Sequence, residues 1–279
     1  MRAYIALISF VMLSALAPSV THADQRRDYM LTGLGAGDRL MLDYMGTGGA
    51  LTFEHRRNFL GRVNDYAFSA STLLTYPLGQ LSLGASLRFL FFELGMNVGY
   101  RAVWRNLSFE PGMDGAYCKD CDRPARRARD PILGGGPDSD HFPFFEGRIQ
   151  LYAPFNDYFV LTSLFATRYE GLRPRSYDWI FTNIHDPGWM TRWEVLAFLK
   201  HRRWGGIGPY VQLQWVPQDG RHVTEFAYGF NAMTRLGLLA RNDLVFLTFL
   251  MRPNDGNYGQ HSYFAPLRAL IVYRLTINL

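Results

Sequence analysis

The last eleven residues of the chain, ALIVYRLTINL at positions 269–279, contain the pattern that decides the fold. Every second side chain is large and apolar, a set made up of Ile271, Tyr273, Leu275, Ile277 and Leu279. The side chains between them end in Arg274, Thr276 and Asn278. Because successive residues of a strand point to opposite faces, the segment predicts a strand with one continuous apolar face.

The same two-residue period recurs along the chain. Apolar side chains alternate with polar or glycine residues in windows near 81–91, 94–105, 145–151, 192–200 and 225–235. Windows of about ten residues have the length of a tilted strand that crosses a membrane. The repetition predicts an all-β protein with many strands of similar length.

Composition agrees with this fold class. Aromatic residues make up 15% and charged residues 19% of the 279 residues, and there are 27 glycines and 14 prolines, which favours strands and turns over helical bundles. After residue 23 no stretch reaches the roughly 18 apolar residues of a membrane-spanning helix. The net charge of +5 includes no basic block, so we expect no nucleic-acid partner.

The first residues have the pattern of a secretory signal peptide. Arg2 precedes an apolar run over residues 3–17, and Thr21 and Ala23 are the small residues expected before a cut ahead of Asp24. The run is too short for a comfortable membrane-spanning helix. We therefore expect residues 1–23 to be removed and residues 24–37 to form a periplasmic N-terminal segment.

Periodicity alone does not distinguish a soluble sandwich from a membrane barrel, which has its apolar face outside and its polar face inside. Three features favour the barrel. The signal peptide exports the chain, aromatic residues gather near the predicted strand ends, and the last strand runs to the final residue. Since lipid tolerates no open sheet edge, the last strand must then pair with the first.

The ending Tyr273-x-Leu275-x-Ile277-x-Leu279 resembles the C-terminal assembly signal of bacterial outer-membrane β-barrel proteins, although Leu279 stands where an aromatic residue is commonest. The resemblance implies a transmembrane antiparallel up-and-down β-barrel over residues 38–279, in the outer membrane of a Gram-negative bacterium. It also implies the barrel-assembly machinery, outer-membrane lipid and lipopolysaccharide as partners. The oligomeric state stays open.

Short and long breaks between the windows predict twelve strands with both termini in the periplasm. The predicted strands are 38–46, 49–59, 64–76, 80–91, 94–109, 143–153, 158–169, 189–200, 207–216, 223–238, 243–253 and 264–279. The apolar face changes from odd to even positions between Phe89 and Gly95, so we expect a tight turn there. A single strand over 80–109 would span about 100 Å, well beyond a bilayer of about 30 Å. Ten strands is the alternative.

The predicted extracellular loop at 110–142 contains the only two cysteines, Cys118 and Cys121. A zinc site would need more ligands than the segment offers, so a local disulfide is expected in an exported protein, with reduced or metal-bound cysteines left open. DRPARRARD at 122–130 offers arginines to lipopolysaccharide phosphates, but its aspartates favour pairing within the loop. We predict neither a metal site nor a cofactor.

Catalytic motifs are scarce. The chain has no G-x-S-x-G or H-E-x-x-H, and His55, beside Glu54, is the one histidine inside a predicted strand. A barrel hydrolase that acts on lipid remains the third hypothesis, with His55 as its candidate base.

The polar face of the predicted strands should line the barrel lumen. Its basic residues are Arg88, Arg101, Arg105, Arg148, Arg168, Arg192, Lys200, Arg235, Arg252 and Arg274, and its acidic residues are Glu54, Asp65, Glu146, Glu194 and Glu225. A basic excess would favour anions, so we expect a narrow channel or passive transporter for small, anionic solutes. The alternative is a non-conducting structural or surface-display barrel, because lumen charges can also pair across strands and plug a narrow barrel.

Overall fold

The computed structural model describes residues 36–45, 48–60, 64–75, 78–104, 140–155, 158–172, 176–178, 183–201, 205–218, 220–235, 244–251 and 267–279. The strands in these ranges are β1 (Gly37–Met45), β2 (Gly48–Leu60), β3 (Asn64–Thr75), β4 (Leu78–Phe89), β5 (Phe92–Val103), β6 (Asp140–Pro154), β7 (Phe159–Glu170), β8 (Ser176–Asp178), β9 (Asn183–His185), β10 (Gly188–His201), β11 (Gly205–Gln218), β12 (Arg221–Arg235), β13 (Leu244–Met251) and β14 (Leu267–Asn278).

All these strands except β8 and β9 form one closed antiparallel barrel, in which each strand pairs with its neighbours in sequence. β14 closes the barrel against β1, in a register that places Leu275 opposite Leu42 and Tyr273 opposite Tyr44. β8 and β9 pair with each other in a separate two-stranded sheet. The predicted twelve-stranded up-and-down barrel is therefore confirmed. Among the described residues, no helix has the length and apolar character needed to cross a bilayer.

The barrel has two rims. The terminal rim is where β1 begins and β14 ends, together with the β2–β3, β4–β5, β6–β7, β10–β11 and β12–β13 connections. The loop rim is the opposite end, where β5 ends at Val103 and β6 begins at Asp140, and where β7 ends at Glu170 and β10 begins at Gly188. The long connections of the sequence thus share one rim.

The polarity of the barrel is inverted relative to a soluble protein. Leu81 and Leu83 on β4 point outward and are 65% and 63% exposed, whereas Arg101 and Asp65 point inward and are 1% and 0% exposed. A folded chain exposes such a continuous apolar band when that band meets lipid. The alternation seen in the sequence therefore corresponds to an apolar exterior and a charged interior.

The predicted turn between Phe89 and Gly95 is also confirmed. Phe89 pairs with Phe92, so Leu90 and Phe91 alone connect β4 to β5. Leu90 adopts a φ of +50°, and its backbone N–H donates to Asn64 Oδ1 at 3.1 Å. This two-residue turn shifts the outward-facing set from odd positions on β4 to even positions on β5.

Some predicted bounds were wrong by a few residues. β5 ends at Val103 rather than residue 109, and β6 begins at Asp140, so the last three residues of the predicted 110–142 loop belong to a strand. They extend β6 because Asp140, His141 and Phe142 continue the inward–outward alternation and pair with β5. Cys118, Cys121, Arg105 and Arg252 lie outside the described residues, as do residues 1–35.

Candidate functional site

The interior of the barrel is the candidate site, because the charged side chains converge there. The predicted lumen residues Arg88, Arg101, Arg148, Arg168, Arg192, Lys200, Arg274, Glu54, Asp65, Glu146, Glu194 and Glu225 all lie on inward-facing positions of their strands. Arg235 occupies an inward position at the end of β12, but its side chain is not among those described. These residues form two clusters and several separate pairs.

The first group, the terminal cluster, lies near the terminal rim and contains Arg39, Glu54, Arg56, Asp65, Arg88, Glu93 and Arg148. Arg39 Nη1 lies 2.8 Å from Glu54 Oε1, and Arg56 Nη1 lies 2.8 Å from Asp65 Oδ1. Arg88 contacts Asp65 at 3.6 Å and also pairs with Glu93. Each carboxylate of the cluster contacts two arginines, so the positive charge is largely neutralised locally.

The second group, the loop cluster, lies near the loop rim and contains Arg101, Glu146, Arg168, Glu170 and His185. Glu170 Oε1 lies 3.2 Å from Arg101 Nη1 and 2.5 Å from Arg168 Nε. Glu170 Oε2 lies 3.4 Å from His185 Nε2, and Arg168 Nη1 lies 3.6 Å from Glu146 Oε2.

Aromatic rings cover the loop cluster. The Arg168 guanidinium lies 4.0 Å above the centre of the Phe144 ring, and Arg101 lies 5.5 Å from the centre of the Phe142 ring. Such rings attract a guanidinium through their negative faces while they exclude water. The arginines of the loop cluster are therefore held in place and shielded from the lumen.

The interior contains more acidic residues than the sequence indicates. The described inward cations are Arg39, Arg56, Arg88, Arg101, Arg148, Arg168, Arg192, Lys200, Arg221 and Arg274, and the described inward carboxylates are Asp43, Glu54, Asp65, Glu93, Asp140, Glu146, Glu170, Glu194 and Glu225. Among these described side chains the cations exceed the carboxylates by one. Asp43, Glu93, Asp140 and Glu170 occupy the same alternating positions as the predicted lumen residues, so the period could have identified them.

Two further ion pairs lie in the interior, one between neighbouring strands and one within β10. Arg274 binds Asp43 through two contacts, Nε to Oδ1 at 2.6 Å and Nη2 to Oδ2 at 2.7 Å, across the β14–β1 seam. Arg192 Nε lies 2.7 Å from Glu194 Oε1, which also accepts a hydrogen bond from Gln212. A two-contact arginine–carboxylate pair fixes geometry as well as charge, so Arg274 and Asp43 help to define the closing register.

Between the two clusters, the inward wall of β3, β4 and β5 consists of small residues, which we call the small-residue wall: Ser69, Ser71, Ser82, Gly84, Ser86, Gly95, Asn97 and Gly99. A Cβ on Gly95 would lie 2.6 Å from Arg148 Nε, so the Arg148 side chain rests across this glycine. The Arg148 side chain is nevertheless 44% exposed while it contacts Glu93 at 3.2 Å. Since Arg148 points inward, its exposure shows that open space lies beside the wall.

The other half of the interior holds an apolar cavity of about 210 Å³ near the terminal rim. Val160, Leu196, Phe198, Met233 and Phe246 supply its apolar surface. Thr162, Asn231, Thr248 and Lys200 also line it, and among the described lining residues Lys200 alone is charged. This half of the barrel therefore differs in chemistry from the half with the arginine clusters.

At the loop rim, two apolar clusters lie inside the barrel. One joins Leu78, Val103 and Phe142 to Leu172, which lies two residues beyond β7 and is 4% exposed. The other joins Met190 and Val216 to Val223. Leu172 and the fully buried His185 both belong to the β7–β10 connection, which is thus anchored inside the mouth of the barrel.

His55, the candidate base of the hydrolase hypothesis, points outward. Its Nδ1 lies 2.7 Å from Asp38 Oδ1, and Asp38 Oδ2 accepts a hydrogen bond from Arg57 Nη2 at 3.0 Å. Within the described part of the chain, no hydroxyl or thiol hydrogen bonds to His55, so the arrangement has a base and its orienting carboxylate but no nucleophile beside them. The described residues also contain no group of three or more His, Cys, Asp or Glu that could hold a metal ion.

No family model and no curated protein matches the chain. Similar solved structures include the KdgM porin (9% identity, 86% of this chain and 96% of that chain, TM-score 0.35) and the NanC porin (7% identity, 87% and 98%, TM-score 0.37). LpxR from Salmonella typhimurium is similar over 88% of this chain and 100% of its own, with 8% identity and a TM-score of 0.40. The chain itself forms a closed antiparallel barrel of twelve strands, with a charged interior and an apolar exterior.

The residues of the predicted C-terminal assembly signal lie on the outer face of the barrel. Tyr273, Leu275 and Ile277 occupy outward positions on β14, and Leu279 follows the strand with its backbone N–H donating to Asp38 O at 3.0 Å. Ile277 and Leu279 are 41% and 72% exposed. Their recognition by assembly machinery stays a prediction.

Proposed function

We propose that this protein is an outer-membrane barrel that forms a narrow channel for small, anionic solutes. The observation that carries the proposal is Arg148, an inward guanidinium that is 44% exposed beside the small-residue wall. A lumen filled completely by side chains would bury such a group. Arg88 and Arg101 are buried in this way, whereas Arg148 is not. The open space next to Arg148 therefore supports a water-filled path with a cation on its surface.

The proposed location rests on the exterior of the barrel. Outward-facing leucines and phenylalanines form a continuous apolar band, and the outward-facing aromatic residues Tyr44, Tyr169 and Trp189 lie near strand ends. Aromatic residues at strand ends are typical of the interfacial belts of membrane barrels. Both features support insertion into the outer membrane, with the terminal rim toward the periplasm.

The expected anion preference is modest. Most interior arginines are buried and contact carboxylates, so they contribute little net field to the path, whereas Arg148 contacts Glu93 but stays exposed. The accessible positive charge of the described interior is thus concentrated at Arg148 and, at the loop rim, at Arg221. A solute with one or two negative groups fits this arrangement better than a neutral one.

Single-channel recording in planar bilayers tests the proposal. In a salt gradient, the wild-type protein should show discrete conductance steps and a reversal potential that indicates anion preference. Arg148→Lys keeps the charge and should keep that preference, Arg148→Gln should reduce it, and Arg148→Glu should shift the reversal potential toward cations. Equal reversal potentials in all four proteins would contradict the role of Arg148.

A non-conducting barrel is the second candidate, supported by the apolar clusters at the loop rim. Leu172 and Phe142 pack together inside the mouth, and the buried charges of the loop cluster are paired through Glu170, which contacts Arg101 of β5 and Arg168 of its own strand. A barrel that inserts into the bilayer but passes no current would favour this structural role over the channel.

A further inference from the structure

The exterior of the barrel contains one exception to its apolar character. Among the described side chains of the barrel strands, Asp38 and Arg57 are the only Asp, Glu, Lys or Arg that point outward. Every other described charged residue of these strands occupies an inward position. A pair of charges on a lipid-facing surface is costly unless it lies at headgroup level, where a polar partner is available.

Asp38, Arg57 and His55 form a compact group, which we call the outer triad. β1 places Asp38 directly opposite His55 of β2, and Arg57 lies two residues further along the same outward face. Asp38 binds His55 at 2.7 Å and Arg57 at 3.0 Å. The side chains of Asp38, His55 and Arg57 are 34%, 36% and 40% exposed, respectively, so all three remain accessible from outside.

The position of the outer triad corresponds to the edge of the apolar band. Asp38 is the second residue of β1 at the terminal rim, and the C-terminal Leu279 hydrogen bonds to its carbonyl. Tyr66 packs against His55 with ring centres 6.4 Å apart, and Phe59 packs edge-on against Phe89 at 5.5 Å. Aromatic rings gathered around a polar group are typical of the membrane–water interface.

Unused hydrogen-bond donors in the outer triad indicate what it can bind. Arg57 donates through Nη2 to Asp38 and through Nη1 to the Arg56 carbonyl, which leaves three of the five guanidinium N–H groups. His55 uses Nδ1 for Asp38 and leaves Nε2 without a partner among the described residues. The carboxylate orients both cationic groups, and their remaining donors match the oxygens of a phosphate.

We propose that the outer triad is a binding site for the phosphodiester headgroup of a membrane phospholipid, in the leaflet that meets the terminal rim. Arg57 donates to the phosphate oxygens, protonated His55 donates through Nε2, and Asp38 positions both. The acyl chains then lie along the outward side chains above the triad, which include Leu40, Phe53 and Phe68. The proposal rests on the barrel's insertion in a membrane and not on conduction.

Native mass spectrometry of the folded full-length protein in detergent tests the site. The probes are a phosphatidylglycerol, a diacylglycerol with the same acyl chains, and inorganic phosphate. We expect one tightly retained phosphatidylglycerol per barrel and at least about tenfold weaker retention of the diacylglycerol, because the latter lacks the charged hydrogen-bond acceptor. This comparison uses the unaltered protein. Equal retention of the two lipids would overturn the proposal.

A variant with matched control localises the binding. His55→Gln/Arg57→Gln should weaken phosphatidylglycerol retention about tenfold, since it removes both charged donors. His201→Gln is the control, because His201 is an exposed, outward-facing histidine at the terminal rim on β10, away from the triad. Unchanged retention in the double variant, or an equal loss in the control, would show that lipid binds elsewhere. Gel mobility before and after heating verifies that each variant is folded.

The same samples distinguish the alternatives. If inorganic phosphate saturates the outer triad at the concentration at which phosphatidylglycerol binds, the triad is a site for free phosphate and not for lipid. That result would overturn the proposal. Release of fatty acid from bound lipid, abolished by His55→Ala, would also overturn it, in favour of a hydrolase. A barrel that conducts but retains no phospholipid would reject the triad site alone and leave the channel proposal standing.

Discussion

Glu170 is the carboxylate on which the loop cluster depends. It is 0% exposed at the end of β7 and contacts Arg101, Arg168 and His185. Removing one member of a buried ion pair leaves charges without compensation, at a cost of about 3–5 kcal/mol. Glu170→Gln keeps the shape of the side chain and should lower the free energy of unfolding by about 3 kcal/mol, measured by urea titration of the protein folded in lipid vesicles.

Glu194→Gln is the matched control for this measurement. Glu194 is also inward-facing and pairs with Arg192, but its side chain is 19% exposed, so water can replace part of the lost interaction. The expected loss is under about 1 kcal/mol. Similar losses for the two substitutions would mean that burial does not determine the energy of these pairs.

For single residues, the sequence predicts which face of the sheet a side chain points to better than it predicts which residue that side chain contacts. The alternation placed Arg88, Arg101 and Arg148 on the inward face, and each occupies an inward position in the structure. In FEHRRN at 53–58, the same alternation sends Arg56 inward and Arg57 outward. The partner of Arg57 is Asp38, 19 residues away on the neighbouring strand, and that pairing depends on a register which the sequence alone does not provide.

Among the elements, the β4–β5 turn has the least favourable local sequence. Leu90 adopts a φ of +50°, a left-handed conformation that costs an L-residue with a Cβ roughly 1–2 kcal/mol. Leu90 is half exposed, so its side chain contributes little burial to offset this cost. Leu90→Gly should therefore stabilise the folded barrel by up to about 1 kcal/mol, after the entropic cost of glycine is subtracted.

Phe91→Gly, in the same turn, should have the opposite effect on stability. Phe91 has no positive φ, so glycine there relieves no strain and should destabilise the barrel by about 0.5–1 kcal/mol. The urea titration used for Glu170 measures both variants. Destabilisation by Leu90→Gly would show that the leucine side chain matters more than its backbone conformation.

The existence of the strands was predictable because the two-residue period is strong and recurs in windows near 81–91, 94–105, 145–151, 192–200 and 225–235. The phase change near Leu90 marked a turn even though FLFFELG lacks the usual turn residues, since a continuous strand would exceed the membrane thickness. Strand ends were less predictable. Asp140 and His141 look like loop residues in sequence, and only their pairing with Val103 and Ala102 makes them part of β6.

For the whole molecule, the distribution of side chains in the lumen matters more than the total charge. One half of the interior contains the two arginine clusters and the small-residue wall, and the other half contains the apolar cavity with Lys200. The sequence predicts a basic excess, and over the described side chains the inward cations exceed the inward carboxylates by only one. If the barrel conducts, its selectivity therefore depends on which of these charges water can reach, a property of packing that strand periodicity does not contain.

The β7–β10 connection contributes residues to the mouth of that lumen at the loop rim. The β7–β10 connection contacts the interior through Leu172, packed on Leu78, Val103 and Phe142, and through His185 beside Glu170. Truncating a buried leucine typically costs about 2–5 kcal/mol, so Leu172→Ala/His185→Ala should weaken the closed arrangement by at least 2 kcal/mol. If the connection obstructs the channel, the open fraction in single-channel records should rise more than tenfold.

An outward-facing leucine serves as the control for this double substitution. Leu199 is 57% exposed on the outward side of β10, so Leu199→Ala removes the same leucine atoms as Leu172→Ala without touching the mouth. It should leave the conductance unchanged. If Leu172→Ala/His185→Ala also leaves it unchanged in a conducting barrel, the connection does not obstruct the path, and the constriction must lie lower, between the arginine clusters. If the double variant turns a silent barrel into a conducting one, the closed and open hypotheses describe two states of one channel.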